Sequence, residues 1–256
     1  MREAGLTVLG YGLAVVIGLS LGLLGGGGSI LTVPALIYVL GYPVKTAIPM
    51  SLVVVGLTSL VGVAGHARAG RVHWRAALAF GPSAAVGAVG GAQLGLLVSA
   101  RLQLTIFAVI MIMAAVSMWF GQGLWIRGGA TGDAPAPRPL TLVGLLGGFV
   151  GLLTGLIGIG GGFLYVPALV LLAGLEMKAA VATSLVLITL SAASGFARYA
   201  GAVELDWAAI VLFTALAFVG VLVGARLVRH LSQQALRRGF AIFLLLMGVI
   251  VLGFGR

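Results

Sequence analysis

One glycine-rich element occurs twice in the chain, each time within a long apolar run. The first copy covers residues 24–36 (LGGGGSILTVPAL) and the second covers residues 157–169 (IGIGGGFLYVPAL). Clusters of glycine interrupt helices, and inside a bilayer an interruption is tolerated only where protein or a water-filled cavity surrounds it. The element therefore predicts two interrupted helices that face each other across one central site.

The composition places both copies in a membrane. The chain is 61% hydrophobic and only 8% charged, and apolar runs of roughly 20 residues, the length that spans a bilayer, recur along it. A polar stretch rich in glycine and proline divides these runs into two equal sets. The predicted segments are 5–24, 29–41, 46–64, 76–98 and 102–121, and then 140–157, 162–174, 179–197, 207–229 and 238–254.

The two sets are copies of each other. Adding 133 to the number of Lys45 gives a second lysine, Lys178, and adding it to Trp74 gives a second tryptophan, Trp207. Matches of rare residues at one offset predict a tandem repeat, because apolar residues alone could agree by chance. The predicted organisation is a first membrane repeat, a cytoplasmic linker and a second membrane repeat, at residues 1–121, 122–139 and 140–256.

The short second segment of each set, 29–41 or 162–174, predicts that the repeats are inverted. As a helix each would be ~20 Å long, which is less than the ~30 Å hydrocarbon core, and the sequence leaves open whether it spans fully. We expect the first two segments to form a hairpin that returns to its starting side before three full spans follow. An odd net number of crossings inverts the second repeat, a plan that recurs in transporters with substrate held near the midplane.

The basic residues predict an orientation. Cytoplasmic connections carry an excess of lysine and arginine, and one predicted side holds the larger share, so we expect both termini to lie outside. The net charge of +10 is attributed to orientation and to anionic lipid headgroups, not to nucleic acid. The basic residues of the predicted cytoplasmic side are Arg68, Arg71, Arg75, Arg127, Arg138, Lys178, Arg226, Arg229, Arg237 and Arg238.

The glycine breaks are candidate anion sites. The first N–H groups of a helix have no partner within that helix and lie at the positive end of its dipole. In an inverted pair both positive ends would point into one volume in the middle of the membrane, which suits a small oxyanion. We predict that the N–H groups of Gly27, Gly28, Gly161 and Gly162 bind it; the alternative is that these glycines only let helices pack closely.

Three hydroxyl groups are candidates for the same site. Ser29 follows the first glycine run and could cap the helix or donate to an anion. Ser51 and Ser184 hold equivalent positions in the segments after the short helices, where they could line a polar path. The alternative is that each hydroxyl bonds a carbonyl of its own helix or of a neighbouring helix.

Charged residues near the ends of these segments complete the set. Arg68 and Arg198 each end a Gly-x-Ala-Arg pattern, and they could bind or steer anions if they fold back toward the pore. As ordinary connection charges they need no such role. His66, near a predicted channel end, could handle a proton, although a single histidine is weak evidence for that.

Cation transport and catalysis are disfavoured. All five acidic residues fall in termini or connections, whereas proton- and sodium-coupled carriers often place a carboxylate within a span. No nucleophile–base pair, metal-binding motif or nucleotide fingerprint is present. We therefore expect no enzyme activity, no catalytic residue, no cofactor and no metal, and a chain without cysteine has no disulfide or thiolate site.

The repeated pattern G-x-G-G-G-x-x-x-x-P-A-L, complete at 158–169 and looser at 26–36, resembles the TauE/SafE family of sulfite exporters and related sulfur-anion permeases. The A-x-x-x-S-L segments at 47–55 and 180–188 resemble that family as well. The resemblance implies transport of sulfite, a sulfonate or a related organosulfur anion by a multi-pass protein of a bacterial inner membrane, and it is consistent with a homodimer. The first copy departs from the pattern because it lacks a spacer equivalent to Ile159.

These observations predict a transporter that exports a small sulfur-containing anion, with sulfite as the first choice. Its expected partners are that anion and the lipid bilayer. Two alternatives stay open: a permease for another organic anion, such as a sulfonate or a carboxylate, and a membrane scaffold subunit without transport of its own.

Overall fold

The computed structural model describes residues 2–120, 139–157, 162–197 and 204–254. These residues form helices and no strand. The predicted linker lies outside the described residues except for Pro139. The helices are α1 (Arg2–Leu24), α2 (Gly27–Pro34), α3 (Val44–Arg68), α4 (Trp74–Leu97), α5 (Ala100–Phe120), α6 (Leu140–Ile157), α7 (Gly162–Pro167), α8 (Met177–Ala197), α9 (Trp207–His230) and α10 (Gln233–Phe254).

The long helices are apolar enough to cross a membrane. Among the described residues this holds for α3, α5, α8, α9 and α10, and shorter apolar helices accompany them. The prediction of an all-helical polytopic membrane protein is confirmed. The bounds of the predicted segments also agree with the helices to within a few residues, because helix length in a membrane follows the length of the apolar run.

The first two helices form a hairpin. The start of α2 packs on the end of α1, where a methyl group at Gly28 would lie 2.9 Å from Cβ of Leu21. The residues that follow α2 lie farther back along α1, since Ala35 and Leu36 share a core with Ala14. The short element therefore runs back along α1, as predicted.

Each short helix continues into one turn of π-helix, at Ala35–Val39 and Ala168–Leu172. A proline precedes both turns, and because proline has no N–H it removes a bond from the helical ladder. The N–H of Leu40 donates to Ala35 O (3.1 Å), and the N–H of Ala173 donates to Ala168 O (3.0 Å). Equivalent bonds at an offset of 133 indicate that the backbone itself is repeated.

The two halves of the chain pack together along two seams, which are rows of glycines where one helix contacts the backbone of another. A methyl group at Gly151 of α6 would collide with Ala84 O of α4, and one at Gly18 of α1 would collide with Ala217 O of α9. The two contacts are related by the same offset. In each seam residue numbers rise together, since Gly91 meets Leu152 beyond the contact of Gly151 with Ala84. Thus α4 runs parallel to α6, and α1 runs parallel to α9.

Equivalent helices of the two halves meet in the opposite sense. Gly56 of α3 lies against Ala192 of α8, and farther along α3 Gly62 lies against Leu185. Residue numbers rise in one helix while they fall in the other, so α3 and α8 are antiparallel. Their contact defines two ends of the molecule: the α3-start end, where α8 finishes, and the α3-finish end, where α8 begins.

The best buried element is α7. All of its residues from Gly162 to Pro167 are buried, and the ring of Phe163 packs edge-on against Phe107 of α5 with centroids 5.0 Å apart. Ten residues of α8 are buried beside it. This core holds the second short helix rigidly against the first, and so it positions the candidate site.

Candidate functional site

The first break is a true interruption of the helix. Gly25 has a φ of +75°, a left-handed conformation that glycine adopts easily and that commonly ends helices. Its N–H still donates to Leu21 O at 2.8 Å. Gly26 then precedes α2, which begins at Gly27 rather than at the Ser29 indicated by sequence. The amides of Gly27 and Gly28 therefore fall in the first turn, where a helix offers them no carbonyl partner.

The two breaks meet backbone to backbone. A methyl group at Gly26 would collide with the carbonyl oxygen of Gly162 and would lie 2.6 Å from Cα of Phe163. Gly162 is the first residue of α7. The starts of both short helices are thus adjacent, as the glycine pattern indicated. Gly161, the other predicted amide donor of the second break, lies outside the described residues.

Two of the predicted hydroxyl groups lie at this junction. The Oγ of Ser29 lies 3.0 Å from the position that a methyl group would take at Gly162. The Oγ of Ser184 lies 2.5 Å from the equivalent position at Gly25. Ser29 comes from α2 and Ser184 from α8, so the junction combines a short helix with the long helix that follows the other short helix.

All three predicted hydroxyls donate to their own segment of chain. Ser29 donates to Gly26 O at 2.7 Å, Ser51 donates to Ile48 O at 2.6 Å, and Ser184 donates to Val181 O at 2.8 Å. Serine hydroxyls in apolar helices commonly make such bonds. The alternative reading of the hydroxyls therefore describes this conformation, and an anion would be held by these side chains only after their hydroxyl protons turned toward it.

Gly28 allows close packing of the hairpin, in addition to lying in the first turn of α2. A methyl group there would collide with Ile17 O of α1, so the absence of a side chain is what allows the hairpin to close. The same explanation holds for the seam glycines Gly18 and Gly151, where a methyl group would also collide with a carbonyl oxygen of the neighbouring helix.

The structure does not bring the remaining predictions to the junction. Ser51 is buried in α3, and the described contacts of its hydroxyl are those within α3. Arg68 is an exposed residue at the end of α3. Arg198 lies outside the described residues. The binding roles of these three residues stay predictions.

A buried tyrosine next to the junction was missed by sequence reasoning. Tyr165 of α7 is only 3% exposed, and its hydroxyl shares a 2.7 Å hydrogen bond with Ser191 of α8. Its ring packs edge-on against Phe80 with centroids 5.9 Å apart. The sequence contained a hint of this residue, because Thr32, at the equivalent position of the first half, also carries a hydroxyl group.

Among the acidic residues whose side chains the structure describes, none belongs to the helices that form the junction. Glu176, Glu204 and Asp206 all lie in connections. At the α3-start end, hydrogen bonds from the N–H of Ala209 and the hydroxyl of Tyr42 lower the pKa of Asp206, so this group is ionised at neutral pH. A separate groove runs between α4 and α6 and is lined by Ser83, Thr141 and apolar residues, none of them a residue of the breaks.

Comparison with known proteins agrees with this architecture. The family model described as "Sulfite exporter TauE/SafE" matches residues 11–251. A "Probable membrane transporter protein" of Xylella fastidiosa (strain Temecula1) is 30% identical over 93% of this chain and 91% of its own length. The "Probable membrane transporter protein YdhB" of Bacillus subtilis is 27% identical over 90% of this chain and 92% of its own length. No solved structure matches the chain significantly.

Proposed function

The chain belongs to the sulfite exporter TauE/SafE family of multi-pass membrane transporters, and from that premise we propose that it exports a small sulfur oxyanion, with sulfite as the substrate. The proposed binding site lies between the two glycine breaks. The observation that carries this proposal is the contact of Gly26 with Gly162, with Ser29 next to Gly162 and Ser184 next to Gly25.

In this proposal the N–H groups of Gly27, Gly28, Gly161 and Gly162 bind the anion. Amides at the start of a helix are fixed donors at the positive end of a dipole, and they bind an anion without a fixed positive charge that would hold it too tightly for release. Ser29 and Ser184 assist by turning their hydroxyl protons from the chain to the anion. Tyr165 and Ser191 extend the polar surface beside α7.

The two halves act as inverted repeats in the proposed mechanism. The antiparallel contact of α3 with α8 supports this arrangement, because those helices are equivalent under the offset of 133. The contact of Gly248 in α10 with Ile112 and Ala108 in α5, together with that of Arg237 with Ser117, also runs in opposite directions. Inverted repeats can expose one central site to either side in turn by rocking of one half against the other.

In this proposal the protein lies in the inner membrane, with its α3-finish end facing the cytoplasm and both termini outside. The described basic residues of that end support this orientation under the positive-inside rule. They are Arg68, Arg71, Arg75, Lys178, Arg226, Arg229, Arg237 and Arg238. A membrane potential that is negative inside then drives an anion outward by about 2.3 kcal/mol per charge per 100 mV, so export needs no coupling carboxylate.

Flux of radiolabelled sulfite through proteoliposomes tests the proposal. With an imposed potassium diffusion potential, we expect sulfite to move toward the positive side and its rate to rise with voltage. Competition with unlabelled sulfate, methanesulfonate and acetate reports the substrate, and only a sulfur oxyanion should compete strongly. Sodium-dependent flux that ignores the voltage would contradict the mechanism, and the absence of flux for every anion would indicate a scaffold subunit.

Two variants locate the site. Gly26→Ala pushes the two breaks apart, and we expect it to lower sulfite flux by about tenfold or more. Ser184→Ala removes one hydroxyl without adding atoms, so folding is preserved while flux falls by a smaller factor. Gly12→Ala is the matched control, because nothing lies within 4 Å of a methyl group at that position of α1. Equal flux in Gly26→Ala and Gly12→Ala, with both proteins folded, would place the site elsewhere.

A further inference from the structure

A buried histidine lies one helical turn from the first break. His66, in the last turn of α3, is only 1% exposed, and its ring lies beside the backbone of Gly22 in α1. Neither Nδ1 nor Nε2 has a hydrogen-bond partner of ordinary geometry. Gly22 precedes Gly25 by about 4.5 Å of helix rise. Because unpaired polar atoms are rarely buried, this ring has hydrogen-bonding capacity that a ligand could use.

Two arginines from other elements lie within electrostatic range of the same histidine, the half-buried Arg71 and the exposed Arg229. Arg71 lies in the loop between α3 and α4, and Arg229 lies in the last turn of α9. Both are within electrostatic reach of His66, and Arg229 is within reach of Arg71. Burial, followed by the charge of Arg229, lowers the pKa of Arg71. Burial and charge repulsion both make it unfavourable to place several positively charged side chains close together.

The loop that carries Arg71 is fixed in place. The N–H of Arg71 donates to His66 O at 3.1 Å, and the N–H of His73 donates to the hydroxyl of Thr183 in α8 at 3.0 Å. These two hydrogen bonds fix the backbone on both sides of Arg71, whose side chain is half-buried. Among the described residues, neither Arg71 nor Arg229 makes an ion pair or a hydrogen bond through its guanidinium group.

The cluster is not a by-product of the repeat. The position equivalent to Arg71 in the second half is Glu204, and the position equivalent to Arg229 in the first half is Leu96. The shared backbone therefore does not require positive charge at either place. Like charges that approach one another without a carboxylate between them are stable when an anion lies among them, and guanidinium forks match the oxygens of an oxyanion.

We propose that His66, Arg71 and Arg229 bind an oxyanion at the α3-finish end of the molecule, beside the first break and separate from it. The ligand presents at least two oxygens to the guanidinium groups and one to the imidazole. A free sulfite or a phosphate headgroup of an anionic lipid has this chemistry. Binding here is independent of transport, since it rests on three side chains that the proposed transport site does not include.

The test uses the full chain, labelled with ¹⁵N-histidine, in nanodiscs of zwitterionic phosphatidylcholine. The chain has three histidines, and the spectrum of His66→Gln identifies the ring signals of His66. Titration with sulfite should shift those signals in a saturable way. A second titration, with phosphatidylglycerol added to the nanodisc in place of sulfite, reports whether a lipid phosphate occupies the site.

Variants separate this site from general surface charge. Arg71→Gln and Arg229→Gln should each lower the affinity for the ligand by about tenfold. Arg71→Lys keeps the charge but loses the two-pronged guanidinium group, and its affinity should fall between that of these variants and that of the wild type. Arg226→Gln removes another exposed arginine of the same helix α9, one whose charge does not act on His66, and should change the affinity by less than about twofold. Thermal unfolding of each variant verifies that it is folded.

Each outcome decides the proposal. A saturable response to sulfite identifies a free anion, and a response to phosphatidylglycerol alone identifies a headgroup; both support the site. No response to either ligand overturns it, and so does an equal loss of affinity in Arg226→Gln. Because the measurement is binding and not flux, a protein that failed to transport sulfite could still pass this test.

Discussion

The two ends of the molecule have similar backbone turns and caps but different side-chain charge. At the α3-start end Gly41, two residues after the first π turn, has a φ of +76°, and at the α3-finish end Gly174, two residues after the second, has a φ of +74°. Asp206 caps α9 by accepting from Ala209 N–H at 3.0 Å.

The cap of α4 is the counterpart at the other end. There His73 accepts from Ala76 N–H at 3.2 Å, at the position equivalent to Asp206. One end thus presents Glu204 and Asp206 together with Lys45 and Arg101, whereas the other presents Glu176 together with Arg71, His73 and a majority of the described basic residues. Equivalent positions of the two halves thus make the same capping hydrogen bond with side chains of different charge, His73 in one half and Asp206 in the other.

That divergence has a consequence for an anion. An end with excess positive charge attracts anions more strongly than an end where acidic and basic residues balance, so the two ends are electrostatically asymmetric. In the proposed orientation the cytoplasmic opening would capture the substrate and the outer opening would favour its release. Direction could then come from surface charge together with the membrane potential, without a change in the backbone plan.

The strongest way to break the comparison is to disturb the shared backbone. In Gly151→Ala the new methyl group collides with Ala84 O and lies 2.6 Å from Ala84 Cα. Since the clash is with backbone, relief requires the helices to separate, and we expect a loss of about 3 kcal/mol or more. The equivalent variant Gly18→Ala should lose a similar amount, as measured by thermal unfolding in detergent.

Gly144→Ala is the matched control for that pair. It lies on the same helix α6, and its new methyl group would be at an ordinary 3.5 Å from Ala79 O. It should unfold at nearly the temperature of the wild type. If Gly18→Ala were as stable as Gly144→Ala while Gly151→Ala unfolded, the two seams would not be equivalent.

A smaller effect is expected at the glycines that follow the π turns. Gly41→Ala and Gly174→Ala each force a side chain into the left-handed region, which costs about 1–2 kcal/mol. Nothing lies within 4 Å of a methyl group at Gly41, so the cost there is backbone strain alone. Chemical denaturation should give matched losses at the two positions, and a loss at only one would show that the turns differ in strain.

The smallest effect is expected at the caps, and it depends on pH. Asp206→Ala removes the cap of α9 and should cost about 1 kcal/mol at pH 7. Because the folded state lowers the pKa of Asp206, the carboxylate stabilises the protein above its unfolded pKa and loses that contribution as pH falls through the folded value. The unfolding midpoints of the variant and the wild type should therefore converge under acid conditions.

The control for this prediction is Glu204→Ala, which removes an exposed carboxylate two residues earlier. It should leave the stability nearly unchanged at both pH values. A constant difference between Asp206→Ala and the wild type down to acid pH would mean that the cap does not depend on the ionised carboxylate.

Sequence reasoning predicted the elements of the fold well, and the site residues stay predictions. Apolar run lengths gave the helices, and the glycine clusters gave the meeting of the short helices at Gly26 and Gly162. It did not give the direction of the hydroxyl protons of Ser29 and Ser184, because a serine in an apolar helix has two competing acceptors, its own backbone and a ligand. Gly161 and Arg198 lie outside the described residues and stay predictions.

By itself the sequence determined the membrane environment, the repeat and the positions of the breaks, since these follow from local composition and from residues 133 apart. Only the tertiary structure decided which helices pair, with α1 on α9 and α4 on α6, because a seam of glycines fits the backbone of any helix that can approach it. It also brought His66, Arg71 and Arg229 together from three separate elements. His66 and Arg71 are joined by a local backbone hydrogen bond, but no spacing along the chain places Arg229 near them, because that depends on the packing of α9 against α3.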